Sequence, residues 1–230
     1  MSGSTTSQVQ PLMARDGHTF SAYMASPPGR AADGAVIVLQ EIFGVTPWLR
    51  RVTDGFAASG YLAVAPSLFD RVRRNIVLGY SAAEAEEGKG YRAQIPLDKA
   101  CLDIAACAAV MRHAGRVAIL GFCWGGTLAW VAAARLKPAA AVCYYGAGLA
   151  AQSAPPTCPT LLHFAQADAS IPPEEVEQLR EDFPAGEFHL YPAQHAFANE
   201  DRADRYDAAS AALARSRTDA FLARTLRPGR

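Results

Sequence analysis

Cysteine is scarce in this sequence, with five Cys among 230 residues. A small secreted domain built on disulfides would need many more in a shorter chain, and five is an odd number. The chain has no Cys-x-x-Cys pair, and His189 and His195 do not form a metal-ligand motif. We therefore expect reduced thiols, as in a cytoplasmic enzyme, and no zinc or other metal.

Long hydrophobic runs and an excess of charge are also lacking. The longest apolar stretches, Ala35–Leu39 and Trp124–Ala134, are shorter than the ~18 residues that a membrane span needs. The first ten residues do not resemble a signal peptide. Because 22 basic residues balance 22 acidic ones, no net field attracts polyanions. We expect no membrane and no nucleic-acid partner.

The sequence also contains neither a G-x-G-x-x-G segment nor a P-loop, so it gives no support for a nucleotide, and no cofactor is expected. Apolar residues make up 50% of the chain, which predicts a packed core. Neither an internal repeat nor a linker is visible. We expect a single domain over residues 1–230, with disorder only within about the first eight.

Strand patterns alternate with helix patterns along the chain. Ala35–Leu39 is a continuous apolar run, typical of a strand buried on both faces. Thr46-Pro47 and Gly60 bracket a helix as its N-cap, first-turn proline and C-terminal glycine. Further strands are predicted at 61–65, 116–122, 139–145, 159–164 and 187–191, and further helices at 95–114, 125–136, 172–182 (capped by Ser170) and 203–226.

This alternation is typical of the α/β class, with a mostly parallel central sheet and helices on both faces. An N-terminal hairpin that turns at Asp16-Gly17 is expected at the sheet edge. In such sheets, ligands bind beyond the carboxyl ends of the strands. The residues that directly follow each predicted strand are therefore the candidates for chemistry.

The segment Gly121–Gly126 reads Gly-Phe-Cys-Trp-Gly-Gly and lies between a predicted strand and a predicted helix. This is the context of a nucleophile elbow, in which small residues let strand and helix approach closely. Cys123 would be raised at the top of the sheet, and the helix N-terminus would favour its thiolate. The alternative is a glycine-rich turn that contains a buried Cys.

Two further residues complete a candidate triad. Asp168 follows the predicted strand 159–164, and His195 follows the predicted strand 187–191. Nucleophile, acid and base follow one another in this chain order in α/β-hydrolases. Taken singly, Asp168 has an ordinary explanation as a turn residue and His195 as a surface residue. Their joint order and placement favour a Cys-His-Asp triad.

Residues 40–44, Gln-Glu-Ile-Phe-Gly, follow the first buried strand. An acid at this position, Glu41, would face the ligand crevice, although a solvated loop acid is the alternative. The backbone N–H groups of Ile42 and Trp124 are the expected oxyanion hole.

Several segments together resemble the dienelactone hydrolase (carboxymethylenebutenolidase) family, from about residue 10 to the C-terminal helix. They are Gln-Glu-Ile-Phe-Gly-Val at 40–45, Gly-Phe-Cys-Trp-Gly-Gly at 121–126, Tyr-Tyr-Gly at 144–146 and His-Ala-Phe at 195–197. The resemblance implies an α/β-hydrolase fold, with Cys123 as nucleophile, His195 as base and Asp168 as its orienting acid. The implied reaction opens a dienelactone to maleylacetate.

The resemblance also implies substrate-binding residues. Arg71 matches an Arg that binds the substrate carboxylate, and Tyr145 lies in a matching segment. A second carboxylate-binding Arg of the family lies four residues after the catalytic His, where this sequence has Asn199. Arg202, three residues further on, is a candidate replacement. The neighbouring Arg73 and Arg74 are interpreted as a solvated cluster.

A mechanism follows from this resemblance as a hypothesis. The helix N-terminus and a protonated His195 favour the Cys123 thiolate, whereas a Glu41 carboxylate beside the sulfur favours the thiol. We expect a resting thiol held by Glu41. An anionic lactone pairing with Arg71 would then release the thiolate for attack.

Two alternatives remain open. Since Asn199 replaces a family Arg, the chain is alternatively a same-fold esterase or lactonase acting on another small ester. A non-hydrolytic protein, with Cys123 as a redox thiol or with a binding role only, is the second alternative. The expected partner is a small anionic lactone or ester, and the expected state is a cytoplasmic monomer.

Overall fold

A computed structural model describes residues 5–227 of the chain, which divides into two units, Met1–Val117 and Ala118–Arg230. In the part of the chain so described, no helix combines the length and the apolar character needed to cross a membrane. The single domain and the cytoplasmic location expected from the sequence stay predictions.

Among its described residues, the first unit has four β-strands and three α-helices. In spatial order its strands are β1, β2, β4 and β3. β1 pairs antiparallel with β2, and β2 with β4, whereas β3 and β4 are parallel. The bounds are β1 Thr6–Met13, β2 Thr19–Ser26, β3 Ala35–Leu39 and β4 Leu62–Pro66, with α1 Pro47–Ala58, α2 Ala82–Ala93 and α3 Leu97–Met111.

The predicted N-terminal hairpin is confirmed. β1 and β2 pair along their full length, from Thr6 opposite Ser26 to Met13 opposite Thr19. Gly17 has a φ of 81° in the connecting turn, a conformation that glycine adopts without a steric penalty. The expectation of disorder up to about residue 8 is wrong for residues 6–8, because this ladder orders them; residues 1–4 lie outside the described part.

Short sequence signals predict helix α1 but not helix α2. The Thr46 side chain accepts the Leu49 N–H, as a helix N-cap should, and Pro47 begins α1. α2 is absent from the sequence-based prediction because only Gly88 of its residues is buried, so it has no apolar periodicity. Its start is stabilised by a capping box between Ser81 and Glu84.

The second unit has the predicted strand–helix alternation. Its strands β5, β6, β7 and β8 are neighbours in that order, and all three pairings are parallel. Because the strands are parallel neighbours, their carboxyl ends lie at one edge. The bounds are β5 Val117–Phe122, α4 Trp124–Leu136, β6 Ala140–Tyr144, β7 Thr160–Ala167, α5 Pro173–Asp182, β8 Glu187–Gln194 and α6 Ala208–Leu226.

Two predicted helix starts in the second unit are wrong. α5 begins at Pro173 after Pro172 and has no side-chain cap. Ser170 is not that cap, because Pro172 occupies the N-cap position; the Ser170 N–H donates to Asp168 Oδ1 at 2.8 Å. α6 begins at Ala208 rather than 203, because the Asp207 side chain accepts the Ser210 N–H and caps the helix there.

The strands of the second unit set the positions of the candidate site. β7 and β8 each extend three residues beyond their predicted ends, to Ala167 and Gln194. As a result, each of the four parallel strands is followed directly by a residue singled out in the sequence. These residues are Cys123 after β5, Tyr145 after β6, Asp168 after β7 and His195 after β8.

Candidate active site

Cys123 occupies a sharp turn between β5 and α4. Its φ of 54° and ψ of −117° are unusual for a residue with a side chain, and such strain concentrates at functional positions. The turn is held by backbone hydrogen bonds: the Cys123 N–H donates to Tyr144 O at 3.0 Å, and the Cys123 carbonyl accepts the Gly126 N–H at 2.9 Å. The predicted strand, tight turn and helix are confirmed.

Three glycines make this turn sterically possible. A Cβ on Gly121 would lie 1.9 Å from Gly125 O, and one on Gly126 would lie 2.6 Å from Tyr144 O. A Cβ on Gly146 would lie 2.8 Å from the Gly126 carbonyl carbon. The start of α4 therefore packs directly on the backbone that follows β5 and β6, which lifts Cys123 above it.

Gly121→Ala is expected to lower the free energy of unfolding by about 3 kcal/mol, because the new methyl group meets backbone that has no room to move. Gly90→Ala in α2 is the matched control. A Cβ there meets nothing within 4 Å, and alanine should raise helix stability by about 0.5–1 kcal/mol. Urea unfolding of both variants measures the difference. Equal stability of the two would contradict the packing described here.

The candidate base and acid are in direct contact. His195 Nδ1 lies 2.7 Å from Asp168 Oδ2, and the Asp168 side chain is fully buried. Asp168 Oδ1 accepts the Ser170 N–H, so both carboxylate oxygens are engaged and their orientation is fixed. Asp168 thus serves as a turn residue and as the partner of His195 at the same time.

His195 also hydrogen bonds the Cys123 side chain, which links the three predicted triad residues. Since Nδ1 is taken by Asp168, Nε2 is the nitrogen that remains for the sulfur. Cys123 is partly exposed, as a nucleophile must be to meet a substrate. Cys123, His195 and Asp168 therefore form one continuous chain of contacts within the second unit, which is the arrangement that a nucleophile, its base and an orienting acid require.

The charge state of His195 follows from these neighbours. Burial alone lowers the pKa of an imidazole, but the hydrogen bonds to Asp168 and Cys123 outweigh it and raise the pKa of His195 to about 10. The imidazolium is accordingly the favoured form at neutral pH.

Tyr145 packs against the imidazole. It is fully buried, and its ring centroid lies 5.1 Å from that of His195 and 5.4 Å from that of Phe197. Its φ of 37° is a second positive value at a strand end of this unit. The contact restricts the His195 ring on one side, and the predicted role of Tyr145 in substrate binding stays a prediction.

Asn199 shapes the turn that follows His195. It is fully buried, its N–H donates to Ala196 O at 3.0 Å, and its Oδ1 accepts the Asp201 N–H at 3.1 Å. The Arg202 N–H in turn donates to Asn199 O at 3.0 Å. The Arg202 guanidinium lies 3.5 Å from the Asp204 carboxylate. The buried amide thus fixes the backbone that presents Arg202.

Glu41 and Ile42 follow β3 in the first unit, as predicted. Glu41 is only 4% exposed, so the alternative of a solvated loop acid is wrong. The buried Gln40 side chain holds this segment: its Nε2 donates to Glu41 O at 3.2 Å, and its Oε1 accepts the Leu68 N–H at 3.1 Å. The catalytic role of Glu41 and the oxyanion-hole role of Ile42 stay predictions.

Arg71, also in the first unit, is engaged by carboxylates of that unit. Its Nε and Nη2 donate to the two oxygens of Asp103 at 2.8 and 2.6 Å, and its Nη1 lies 3.2 Å from Asp16. Burial raises the pKa of Asp103 to about 6, against the opposing effect of Arg71. A substrate carboxylate would have to compete with both acids. The substrate role of Arg71 stays a prediction.

Asp103→Ala is expected to lower the free energy of unfolding by about 3–5 kcal/mol, because it leaves the Arg71 guanidinium without its buried counter-ion. Asp16→Ala is the matched control, since Asp16 is partly exposed and solvent screens its ion pair, so its loss should destabilise the fold much less. Urea unfolding at pH 7 compares the two. A larger loss in the Asp16 variant would contradict this ranking.

Known proteins of one family are similar to this chain over most of its length. The model of the dienelactone hydrolase family matches residues 20–226. Carboxymethylenebutenolidase 1 of Cupriavidus pinatubonensis is 32% identical over 224 residues, which cover 92% of this chain and 94% of that protein. The carboxymethylenebutenolidase of Pseudomonas putida is 32% identical over 225 residues, with the same coverage of both chains.

The fold is shared with solved structures of similar length. The crystal structure of a dienelactone hydrolase-like promiscuous phosphotriesterase from metagenomic libraries superposes with a TM-score of 0.79 and 17% identity. The superposition covers 97% of this chain and 99% of that one. Together with the mostly parallel strand pairing, this likeness confirms the predicted α/β-hydrolase fold.

Proposed function

Because this chain belongs to the dienelactone hydrolase family and is a carboxylic ester hydrolase, we propose that it opens a dienelactone, 4-carboxymethylenebut-2-en-4-olide, to maleylacetate. The observation that carries the proposal is the chain of contacts from Cys123 through His195 to Asp168. The proposed partner is this small anionic lactone, bound by a monomer without a cofactor.

The first step is attack by the Cys123 thiolate on the lactone carbonyl carbon. A C–S bond forms, and the carbonyl π electrons move to oxygen, giving a tetrahedral oxyanion. The backbone N–H of Trp124, the first residue of α4, is one proposed donor to that oxygen, because the partial positive charge at a helix N-terminus stabilises an anion. Ile42 is the second donor suggested by the sequence.

The tetrahedral species then collapses to a thioester. The carbonyl re-forms as the ring C–O bond breaks, and the leaving oxygen departs as an enolate that remains tethered to the acyl chain. The His195 imidazolium supplies a proton to this enolate system. Once neutral, His195 takes a proton from water, which attacks the thioester, and Asp168 stabilises the imidazolium that forms again. The C–S bond breaks and the thiolate returns.

Arg202 is the proposed partner of the substrate carboxylate. It belongs to the same unit as the triad and is mostly buried, with a side chain 16% exposed. Arg71, by contrast, is already held by Asp103 and Asp16. Buried Asn199, in the position of the family Arg, supports the backbone from which Arg202 extends.

Arg202→Gln is expected to raise KM for the dienelactone about 10- to 100-fold, with a smaller effect on kcat, because a charge-assisted hydrogen bond to the bound carboxylate is lost. Arg205→Gln is the control, since Arg205 is committed to Asp204 and Gln194. KM for an uncharged aryl ester should not change in either variant. An unchanged KM for the dienelactone in the Arg202 variant would rule out this assignment.

The function itself is tested by the loss of dienelactone ultraviolet absorbance, compared with hydrolysis of small neutral esters. The proposal predicts fast turnover of the dienelactone and none in Cys123→Ala. A folded wild-type protein that hydrolyses neutral esters but leaves the dienelactone intact would contradict the substrate and favour an esterase of the same fold.

A further inference from the structure

Four polar side chains form a buried hydrogen-bond network in the second unit. His163, on β7, is fully buried; its Nδ1 lies 2.8 Å from Tyr191 Oη and its Nε2 lies 3.0 Å from Thr218 Oγ1. Thr218, on α6, lies 2.6 Å from Tyr144 Oη. We call these four residues the His163 network. They join β6, β7, β8 and α6 through side chains that the hydrolytic mechanism does not use.

The neutral His163 ring links the network. Burial and the neighbouring charges hold the pKa of His163 well below its ordinary value, so the ring is neutral and has one donor and one acceptor nitrogen. One ring nitrogen therefore donates to a hydroxyl of the network, and the other accepts a hydrogen bond from one. Removing either hydroxyl would leave a buried ring nitrogen without its partner.

The backbone of the same residues holds the candidate active site. The Tyr144 carbonyl accepts the N–H of Cys123, and the His163 carbonyl accepts the N–H of Tyr145 at 2.8 Å. The Tyr145 ring contacts the His195 imidazole. Thr218 therefore binds the side chains of the two residues whose carbonyls hold Cys123 and Tyr145.

A second route runs through ring contacts. The Tyr191 ring lies 5.0 Å from Phe197, and Phe197 lies 5.4 Å from Tyr145, which packs on His195. The hydrogen bonds and these ring contacts connect the network to the His195 imidazole. Different residues of the network hold the elbow and the imidazole. A shift of the network would therefore change the distance between the two.

We propose that Thr218 is a positioning residue: by holding the side chains of Tyr144 and His163, its hydroxyl sets the separation between the Cys123 sulfur and the His195 imidazole. This inference rests on the proposed thiol chemistry and deepens it. A purely structural role would affect stability alone, whereas positioning also affects the reactivity of the sulfur.

The test compares variants of two threonines on α6. Thr218→Val keeps the shape and removes the hydroxyl, and Thr218→Ser keeps the hydroxyl. Thr225→Val is the control, because Thr225 Oγ1 bonds the Phe221 carbonyl of its own helix. The readouts are the pH dependence of Cys123 alkylation by iodoacetamide, followed by peptide mass mapping, and the separate values of kcat and KM. Mapping distinguishes Cys123 from the partly exposed Cys158.

In Thr218→Val we expect alkylation of Cys123 at neutral pH to slow about tenfold, its pH midpoint to rise, and kcat to fall about 10- to 100-fold with KM nearly unchanged. Thr218→Ser should restore most of both rates, and Thr225→Val should match the wild type. If Thr218→Val does not fold, Tyr144→Phe, which removes one hydroxyl from the network, is expected to give the same losses.

A wild-type alkylation profile in Thr218→Val would overturn the proposal, even if the variant is less stable. Equal losses in Thr225→Val would also overturn it, because they would reflect the helix rather than the network. Alkylation requires no substrate recognition. An inactive wild type with these alkylation differences intact would therefore contradict the proposed substrate and leave the positioning role supported.

Discussion

Cys123→Ala is expected to lower kcat for the dienelactone by about 10⁴- to 10⁶-fold, because the atom that forms the covalent bond is gone and only binding and the oxyanion donors remain. The fold should persist: alanine retains the Cβ, and the backbone hydrogen bonds of the elbow do not involve the sulfur. Dienelactone absorbance measures the rate, and circular dichroism measures the fold.

Cys158→Ala is the matched control for this loss. Cys158 is the other partly exposed cysteine among the described residues and lies outside the triad. It should retain wild-type turnover. A folded Cys123→Ala protein with more than about one per cent of the wild-type kcat would show that the sulfur is not the nucleophile, since such a residue is worth far more than a hundredfold.

Asp168→Asn is expected to lower kcat by about 10⁴-fold. The amide oxygen can keep the hydrogen bond from the Ser170 N–H, but the amide nitrogen then faces His195 Nδ1 and cannot accept its proton. The imidazole would be held in the wrong tautomer and its positive form would lose its counter-ion. The structure of the loop that contains residue 168 should change little, so the loss of kcat would reflect the changed chemistry of His195.

The same substitution has a predicted effect on stability. In the wild type the folded pKa of His195 is raised to about 10, above its ordinary value of 6.5. Protonated His195 therefore stabilises the fold fully below pH 6.5, and this contribution is lost as pH rises towards 10. The free-energy difference between wild type and Asp168→Asn should be largest at low pH within this window and should shrink as pH rises.

Asp182→Asn is the control for both effects, since Asp182 is exposed at the end of α5. Urea unfolding from pH 6 to pH 9.5, with kcat measured over the same range, follows the two variants. An Asp168→Asn protein with a wild-type kcat, or a stability difference that grows with pH, would contradict the role given to the Asp168–His195 pair.

The contacts that link Cys123, His195 and Asp168 were predictable because their signals are local and the topology is simple. Gly121 and Gly125 flank Cys123 within a few residues, and the apolar runs before Asp168 and His195 mark strand ends. Parallel strands must then bring those ends to one edge. The strained φ of Cys123 follows from the same elbow, since the strand and helix can approach only with the chain turned sharply there.

The partners of Arg71 could not be predicted from the sequence. Asp103 and Asp16 are 32 and 55 residues away along the chain, and no short motif marks the pairing. The same holds for the His163 network, in which Thr218 lies 55 residues from His163. The strand pattern around His163 indicates that the side chain is buried, but it does not indicate which residues the side chain contacts.

Two hypotheses differ in the protonation state of the Cys123 sulfur before substrate binds. The sequence resemblance predicts a thiol held by Glu41, whereas the proposed attack needs a thiolate, for which the His195 imidazolium is the counter-ion. The two states differ in their reactivity towards iodoacetamide below pH 7. Fast alkylation of Cys123 there favours the ion pair, and slow alkylation that accelerates on adding an anionic substrate favours the held thiol.

The central claim, that Cys123 carries the acyl group during lactone opening, is tested most directly by trapping the intermediate. The protein is mixed with dienelactone, quenched in acid within the first turnovers, digested and mapped by mass. We predict an adduct on the peptide that contains Cys123, with the mass of the whole lactone, because the leaving oxygen stays tethered to the acyl chain. An adduct on another residue, together with undiminished turnover in Cys123→Ala, would contradict the account.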